Sequence, residues 1–106
     1  MKKLFIILRR DLNPGLQAAQ ACHALQAMND QHPDVIMRWQ GNIVLVSCSG
    51  MLELSELVCS LQRARVPLAL FCEPDTGGEI TAVAVDGQAW RQLSHLPLAL
   101  KVAKAA

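Results

Sequence analysis

The chain has 106 residues, of which 52% are hydrophobic and 18% charged, and its formal net charge at pH 7 is +1. This length and composition predict one globular domain over residues 1–106 and exclude a disordered chain. The near-neutral charge limits non-specific attraction to nucleic acid to a local patch. The aromatic content of 4%, with no tyrosine, disfavours an RNA-binding sheet built on base stacking.

The first apolar run, residues 4–8, is rich in Ile and Phe and predicts a strand buried on both faces. It is too short for a signal-peptide core or a membrane span, so we expect a cytoplasmic protein without a membrane partner. Asn13 and Pro14 are typical of a helix N-cap and first helical position. They predict a helix that runs to about Asp30.

The middle of the chain predicts a helix, a strand and a second helix. A short helix is expected over residues 32–40, and a strand over residues 43–48 after a Gly-Asn break. Residues 51–65 form an amphipathic helix in this prediction. Its apolar positions recur at helical spacing: Leu54, Leu57, Val58 and Leu61.

Two further apolar runs, residues 68–72 and 80–85, predict strands joined by a turn at residues 73–78. Because that turn is short, the fourth strand must run antiparallel to the third. The element order predicts an α/β fold, a single domain with a mixed four-stranded sheet covered by helices on both faces. We expect the strands ending at residues 10, 48 and 72 to be parallel neighbours in it.

The C-terminal part predicts a last helical stretch that starts at Gln88 and is interrupted by Pro97. Its basic end would be Lys101 and Lys104, because cations are stabilising near a helix C-terminus. No repeat, linker or low-complexity stretch divides the chain.

The cysteines and histidines lack the spacing of a metal site or a redox motif. The four cysteines are Cys22, Cys48, Cys59 and Cys72. Without a secretory signal we expect reduced thiols, no disulfide, no bound metal and no cofactor.

Clefts in such sheets form beyond the carboxyl ends of the parallel strands, where residues 9–15, 47–50 and 73–78 should converge. There, Arg9 and Arg10 are either phosphate contacts or solvated surface. Asp11 either caps the helix, pairs with an arginine or takes part in chemistry.

The first helix carries Gln20 and His23 three residues apart, hence on a similar face. They either reach a ligand from the helix wall or form a polar pair that is satisfied within the fold. By its residue type, His23 could serve as a base. Cys22 is adjacent in sequence and points elsewhere, so a Cys-His nucleophilic pair is geometrically poor.

Two motifs carry a resemblance to a known family: LRRDL at residues 8–12 with GLQAAQACHA at residues 15–24, and EPDTGGEITA at residues 73–82. They resemble the class II peptidyl-tRNA hydrolases, in which an Arg-x-Asp-Leu strand end leads into a Gly-Lys-x-Ala-Ala-Gln helix that continues to His-Ala. A later strand of that family ends in an acidic residue before a Thr-containing turn. The resemblance spans nearly the whole chain in element order.

The resemblance implies a class II peptidyl-tRNA hydrolase fold, a homodimer, and hydrolysis of the ester between a peptide, or an N-blocked amino acid, and tRNA. Peptidyl-tRNA or tRNA would be the partner. The catalytic candidates are Asp11, His23, Glu73 and Thr81. The substrate-binding candidates are Arg9, Arg10, Asn13, Gln20, Asp75 and Thr76.

The chain also departs from the family pattern. Leu16 stands where the family has its lysine, and it has neither charge nor donor. The acidic turn is shorter, so either Glu73 or Asp75 takes the place of the family's aspartate, and Thr76 or Thr81 supplies a threonine. The family's Gly-Pro-rich ending is replaced by residues 84–87, which places the chain nearer to peptidyl-tRNA-hydrolase-like relatives. The alternative hypothesis is a non-catalytic binding or dimeric interaction protein on the same fold.

Overall fold

The computed structural model describes residues 3–101, in which strands and α-helices alternate. The strands are β1 (Lys3–Arg9), β2 (Asn42–Cys48), β3 (Leu68–Glu73) and β4 (Glu79–Asp86). The helices are α1 (Pro14–Gln31), α2 (Pro33–Arg38), α3 (Met51–Arg63) and α4 (Trp90–Leu93). The predicted α/β fold with a mixed four-stranded sheet is confirmed, and most predicted elements differ from the observed ones by one or two residues at each end.

The strand order is β2-β1-β4-β3, with β1 parallel to β2 and β4 antiparallel to both β1 and β3. The three predicted strands do run in one direction, but the expectation that they are neighbours is wrong, because β4 lies between β1 and β3. The short connection holds β4 beside β3 as a hairpin. The other edge of β4 pairs with β1, so both edges of this apolar strand are hydrogen-bonded within the sheet.

Side chains alternate between two core layers, one on each face of the sheet. Leu4, Ile6 and Leu8 of β1 pack with the side chains of α1 and α2. Phe5 and Ile7 pack on the other face, with those of α3 and α4. The sheet is thus covered by helices on both faces, as predicted.

The start of α1 follows the predicted capping pattern. Asn13 is the N-cap, and its side-chain oxygen accepts a hydrogen bond of 2.8 Å from the Leu16 backbone N–H. Pro14 occupies the first helical position, where the missing N–H has no cost. The cap fixes where α1 leaves the end of β1.

The predicted last helix is wrong in length. A 3-10 turn at Gly87–Ala89 leads into α4, which has only four residues. The chain then extends along the outer edge of β2, where Pro97 accepts from the Ser47 N–H at 2.8 Å and Ala99 donates to the Leu45 carbonyl at 2.9 Å. Pro97 cannot sit inside a helix, and the strand edge supplies these backbone partners instead. The predicted basic end at Lys104 lies outside the described residues.

No helix within residues 3–101 is long and apolar enough to cross a membrane.

Candidate functional site

The predicted convergence at one end of the sheet is present, but the polar residues there form two networks on opposite faces. β4 is antiparallel, so its first residues lie beside the carboxyl ends of β1 and β3. By strand alternation Arg9 belongs to the face of Phe5 and Ile7, which α3 covers. Glu73 shares the face of Ala69 and Phe71, which α1 covers.

On the α3 face, a buried arginine ties three elements together. The Arg9 guanidinium, in a residue 5% exposed, bonds Asp11 at 2.7 Å (Nη2 to Oδ2) and 3.1 Å (Nε to Oδ1). Its Nη1 donates to the Ile80 carbonyl at 3.0 Å and lies 3.5 Å from Glu79 Oε2. Of the alternatives for Asp11, the structure shows pairing with an arginine. We call Arg9, Asp11 and Glu79 the arginine network.

The arginine network shifts the ionisation of both partners in the direction of the charged forms. The two hydrogen bonds from Arg9 hold the pKa of Asp11 below its usual range, although partial burial opposes this effect. The Asp11 carboxylate raises the pKa of Arg9 in turn. The guanidinium therefore remains charged although it is buried, and little of it is available for a phosphate.

Sequence reasoning missed Glu79. The available signal was its position at the start of the antiparallel strand, which has to lie at the same end of the sheet as Arg9.

On the α1 face, a buried amide links a buried hydroxyl to a half-buried carboxylate. Gln20 is 1% exposed; its Nε2 donates to Glu73 Oε2 at 2.7 Å, and its Oε1 accepts from Thr81 Oγ1 at 3.0 Å. Thr81 is fully buried. Because both ends of the Gln20 amide have partners, the Glu73 carboxylate is held in one position. We call Thr81, Gln20 and Glu73 the glutamine relay.

A β-bulge brings Thr81 into this relay. Phe71 lies opposite Ala82, and the next residue, Cys72, lies opposite Ile80, so Thr81 is one extra residue on β4. Strict alternation would place Thr81 on the α3 face, because Ala82 packs on the α1 face. The bulge turns Thr81 towards α1 instead, a common effect of bulges on side chains.

His23 lies one turn after Gln20 on α1 and is exposed. Its ring stacks on Phe71, with centroids 4.5 Å apart and planes 13° from parallel. Cys22 faces a different apolar surface, lined by Ile43 and Leu45 of β2, so the two residues point apart as predicted. His23 is therefore near the relay, beside the strand that ends in Glu73.

The remaining candidates lie around these networks. In the turn after β3, the Thr76 hydroxyl donates to the Glu73 carbonyl at 3.0 Å, and the Asp75 N–H donates to Glu73 Oε1 at 3.3 Å. Of the two acidic residues in this turn, Glu73 faces α1, whereas Asp75 is exposed. Arg10 is also exposed. Leu16 is half-buried in the first turn of α1.

All four cysteines are free thiols. Cys48 is fully buried, and burial together with the nearby Glu53 charge raises its pKa to about 11. A thiol of this kind is a poor nucleophile at neutral pH. Within residues 3–101, no three His, Cys, Asp or Glu side chains are grouped so that they could hold a metal ion.

Comparisons with known proteins address the fold alone. No family model matches the chain, and no curated protein matches it. The structure is similar to that of Atu0240, a protein of unknown function from Agrobacterium tumefaciens strain C58, with a TM-score of 0.70 and 11% sequence identity. The match covers 92% of this chain and 96% of the other. The chain therefore has an α/β fold that also occurs in a solved bacterial protein.

Proposed function

We propose that this protein is a hydrolase that cleaves the ester between a peptide, or an N-blocked amino acid, and tRNA. The observation that supports this proposal is the glutamine relay, which holds the Glu73 carboxylate at 2.7 Å from Gln20 at the end of β3. The same residues belong to the two motifs that resemble class II peptidyl-tRNA hydrolases. tRNA as a partner, the homodimer and the cytoplasmic location stay predictions from the sequence.

In the proposed reaction Glu73 acts as the general base. It takes a proton from water while the water oxygen bonds to the ester carbonyl carbon. The resulting oxyanion collapses, the bond from carbon to the ribose oxygen breaks, and the proton held by Glu73 passes to that oxygen. The products are the free peptide carboxyl and the ribose hydroxyl of tRNA.

The other residues would support Glu73 rather than react. Gln20 and Thr81 are positioning residues, since they are buried and act through the carboxylate. Arg10 is an exposed cation at the same end of the sheet and could contact a phosphate. His23 offers an exposed ring beside the relay for the substrate's terminal nucleotide.

The test is steady-state cleavage of N-acetyl-aminoacyl-tRNA. Glu73→Gln keeps a hydrogen-bonding side chain but removes the base, and it should lower turnover by about 10²-fold or more. Glu56→Gln is the matched control, because Glu56 is exposed on α3, which covers the opposite face of the sheet from α1 and the relay. Equal activity in the two variants, or no cleavage by the unmodified protein, would contradict the proposal.

A second candidate function is a non-catalytic binding protein, favoured by Leu16 and by the engagement of Arg9 with Asp11. Leu16→Lys distinguishes the two candidates. If the rest of the site is competent, an added lysine should raise turnover and steepen the salt dependence of tRNA binding by about one unit. No gain from the lysine, in a protein that binds tRNA without cleaving it, favours the binding function.

A further inference from the structure

A cavity of about 500 Å³ opens on the α3 face, at the start of β1 and β2 and thus at the opposite end of the sheet from Glu73. Its floor is formed by Phe5, Val44 and Val46. Trp90 and Leu98 stand at its rim, where they are 51% and 55% exposed. Both its volume and its mostly apolar lining are typical of small-molecule sites.

The cavity lies where the helices on this face leave Val44 of β2 only partly covered. α3 packs mainly over β4 and β1; of the β2 residues on this face, Val46 is buried whereas Val44 is half-buried. α4 has only four residues and ends at Leu93. The residues that follow, as far as 101, reach the edge of β2 at Pro97 without filling the space above Val44.

Positive charge surrounds one side of this apolar space. Lys3 lines the cavity, and by strand alternation it belongs to the face of Phe5. It also borders a smaller cavity beside Arg38 and Asp86. Lys3 forms no ion pair with any of residues 3–101. The Arg91 guanidinium lies over the Trp90 ring, 5.2 Å from its centroid. Asp86, the carboxylate at the end of β4, is already paired with Arg38 at 3.5 Å.

We propose that this cavity binds a small amphipathic anion, a medium-chain carboxylate whose hydrocarbon part lies between Val44 and the exposed Trp90 and Leu98 and whose carboxylate pairs with Lys3. The apolar floor favours the hydrocarbon chain, and the unpaired cation at the rim selects an anionic head. This site is separate from the glutamine relay and does not depend on the proposed hydrolysis.

The test uses the fluorescence of Trp90 in a Trp39→Phe background, so that one tryptophan reports from the rim. Octanoate, decanoate and dodecanoate are titrated into the protein. Binding should be saturable, and the Kd should fall roughly tenfold for each two methylene groups added, as long as those groups are buried. Absence of a saturable signal with all three probes would overturn the proposal.

Two variants test the geometry. Lys3→Ala should weaken decanoate binding by about fivefold and leave the uncharged decanol unaffected, whereas Lys3→Arg should bind decanoate as the parent does. Val44→Phe fills the cavity without adding a second tryptophan, and it should abolish binding of both probes while the far-UV circular dichroism stays native. Decanoate binding that survives Val44→Phe, or that is unchanged by Lys3→Ala, would overturn the assignment. Glu73→Gln should not alter decanoate binding.

Discussion

The arginine network and the glutamine relay lie at the same end of the sheet, yet they use their polar groups differently. In the arginine network a buried cation is surrounded by acceptors: two carboxylates and the Ile80 carbonyl. In the glutamine relay a neutral, buried amide presents a single half-buried carboxylate. One network satisfies a charge inside the fold, and the other orients a charge towards its surface.

The arginine network is therefore structural, and the glutamine relay is the candidate for chemistry. Arg9 has its donors occupied by Asp11, Ile80 and Glu79, so its main effect is to join β1, β4 and the loop before α1. Glu73 has partners at both carboxylate oxygens but remains partly exposed, as a general base must be. The carboxylates of both networks are partly exposed and their supporting groups are buried; the networks differ in that the arginine network holds its carboxylates with a buried cation, whereas the relay holds Glu73 with a neutral amide.

Replacement of Arg9 tests its structural role. Arg9→Met keeps most of the apolar stem but leaves the Ile80 carbonyl without its donor, so it should lower the free energy of unfolding by about 2 kcal/mol. Arg10→Met is the matched control, because Arg10 is exposed, and it should change stability by less than about 0.5 kcal/mol. Urea unfolding measures both variants. Equal losses would show that the arginine network adds nothing to stability.

A smaller effect tests whether the relay acts as a unit. Thr81→Val preserves shape but leaves the buried Gln20 Oε1 without a donor, which should cost about 1–2 kcal/mol of unfolding free energy. The double variant Thr81→Val/Gln20→Leu should cost less than the sum of the two single changes, because it removes both polar partners. Urea unfolding of the unmodified protein, the two single variants and the double variant gives the coupling free energy between Thr81 and Gln20. Additive losses would mean that Thr81 and Gln20 are independent.

The smallest expected effect concerns pH. Arg9 lowers the pKa of Asp11 in the folded state. The ionised carboxylate therefore stabilises the fold at pH values above the pKa of an aspartate in the unfolded chain, about 3.9. This stabilisation is lost as the pH falls through the folded pKa. The stability difference between the unmodified protein and Asp11→Asn should therefore be constant above about pH 5 and vanish in more acidic solution. In an Arg9→Met background the same substitution should show a much weaker pH dependence; an unchanged dependence would exclude Arg9 as its cause.

Much of the glutamine relay could be predicted from the sequence. Pro14 and Asn13 place the start of α1, and helical spacing then puts Gln20 and His23 on one face. Alternation along β3 puts Glu73 on the same side as Phe71, towards α1. Local periodicity sufficed here because each residue lies within, or at the end of, a regular element.

The separation of the candidates into two networks could not be predicted in the same way. The position of β4 between β1 and β3 depends on pairing between distant parts of the chain, which no local pattern encodes. The bulge at Thr81 breaks the two-residue period that the prediction assumes. For Arg9 the sequence leaves two alternatives, a phosphate contact or solvated surface, whereas in the structure Glu79 and Ile80 of β4 cover it.

The central place of β1 also constrains when the domain can form. β1 can pair with β2 once residue 48 has been synthesised, but its other edge stays open until β4, which ends at Asp86, is available. Pairing of chain segments about 80 residues apart requires closure of a long loop, which makes folding slower than in proteins with local contacts. Until β4 is available, β1 therefore has one open edge, and such an apolar strand edge is a site where chaperones or other strands bind.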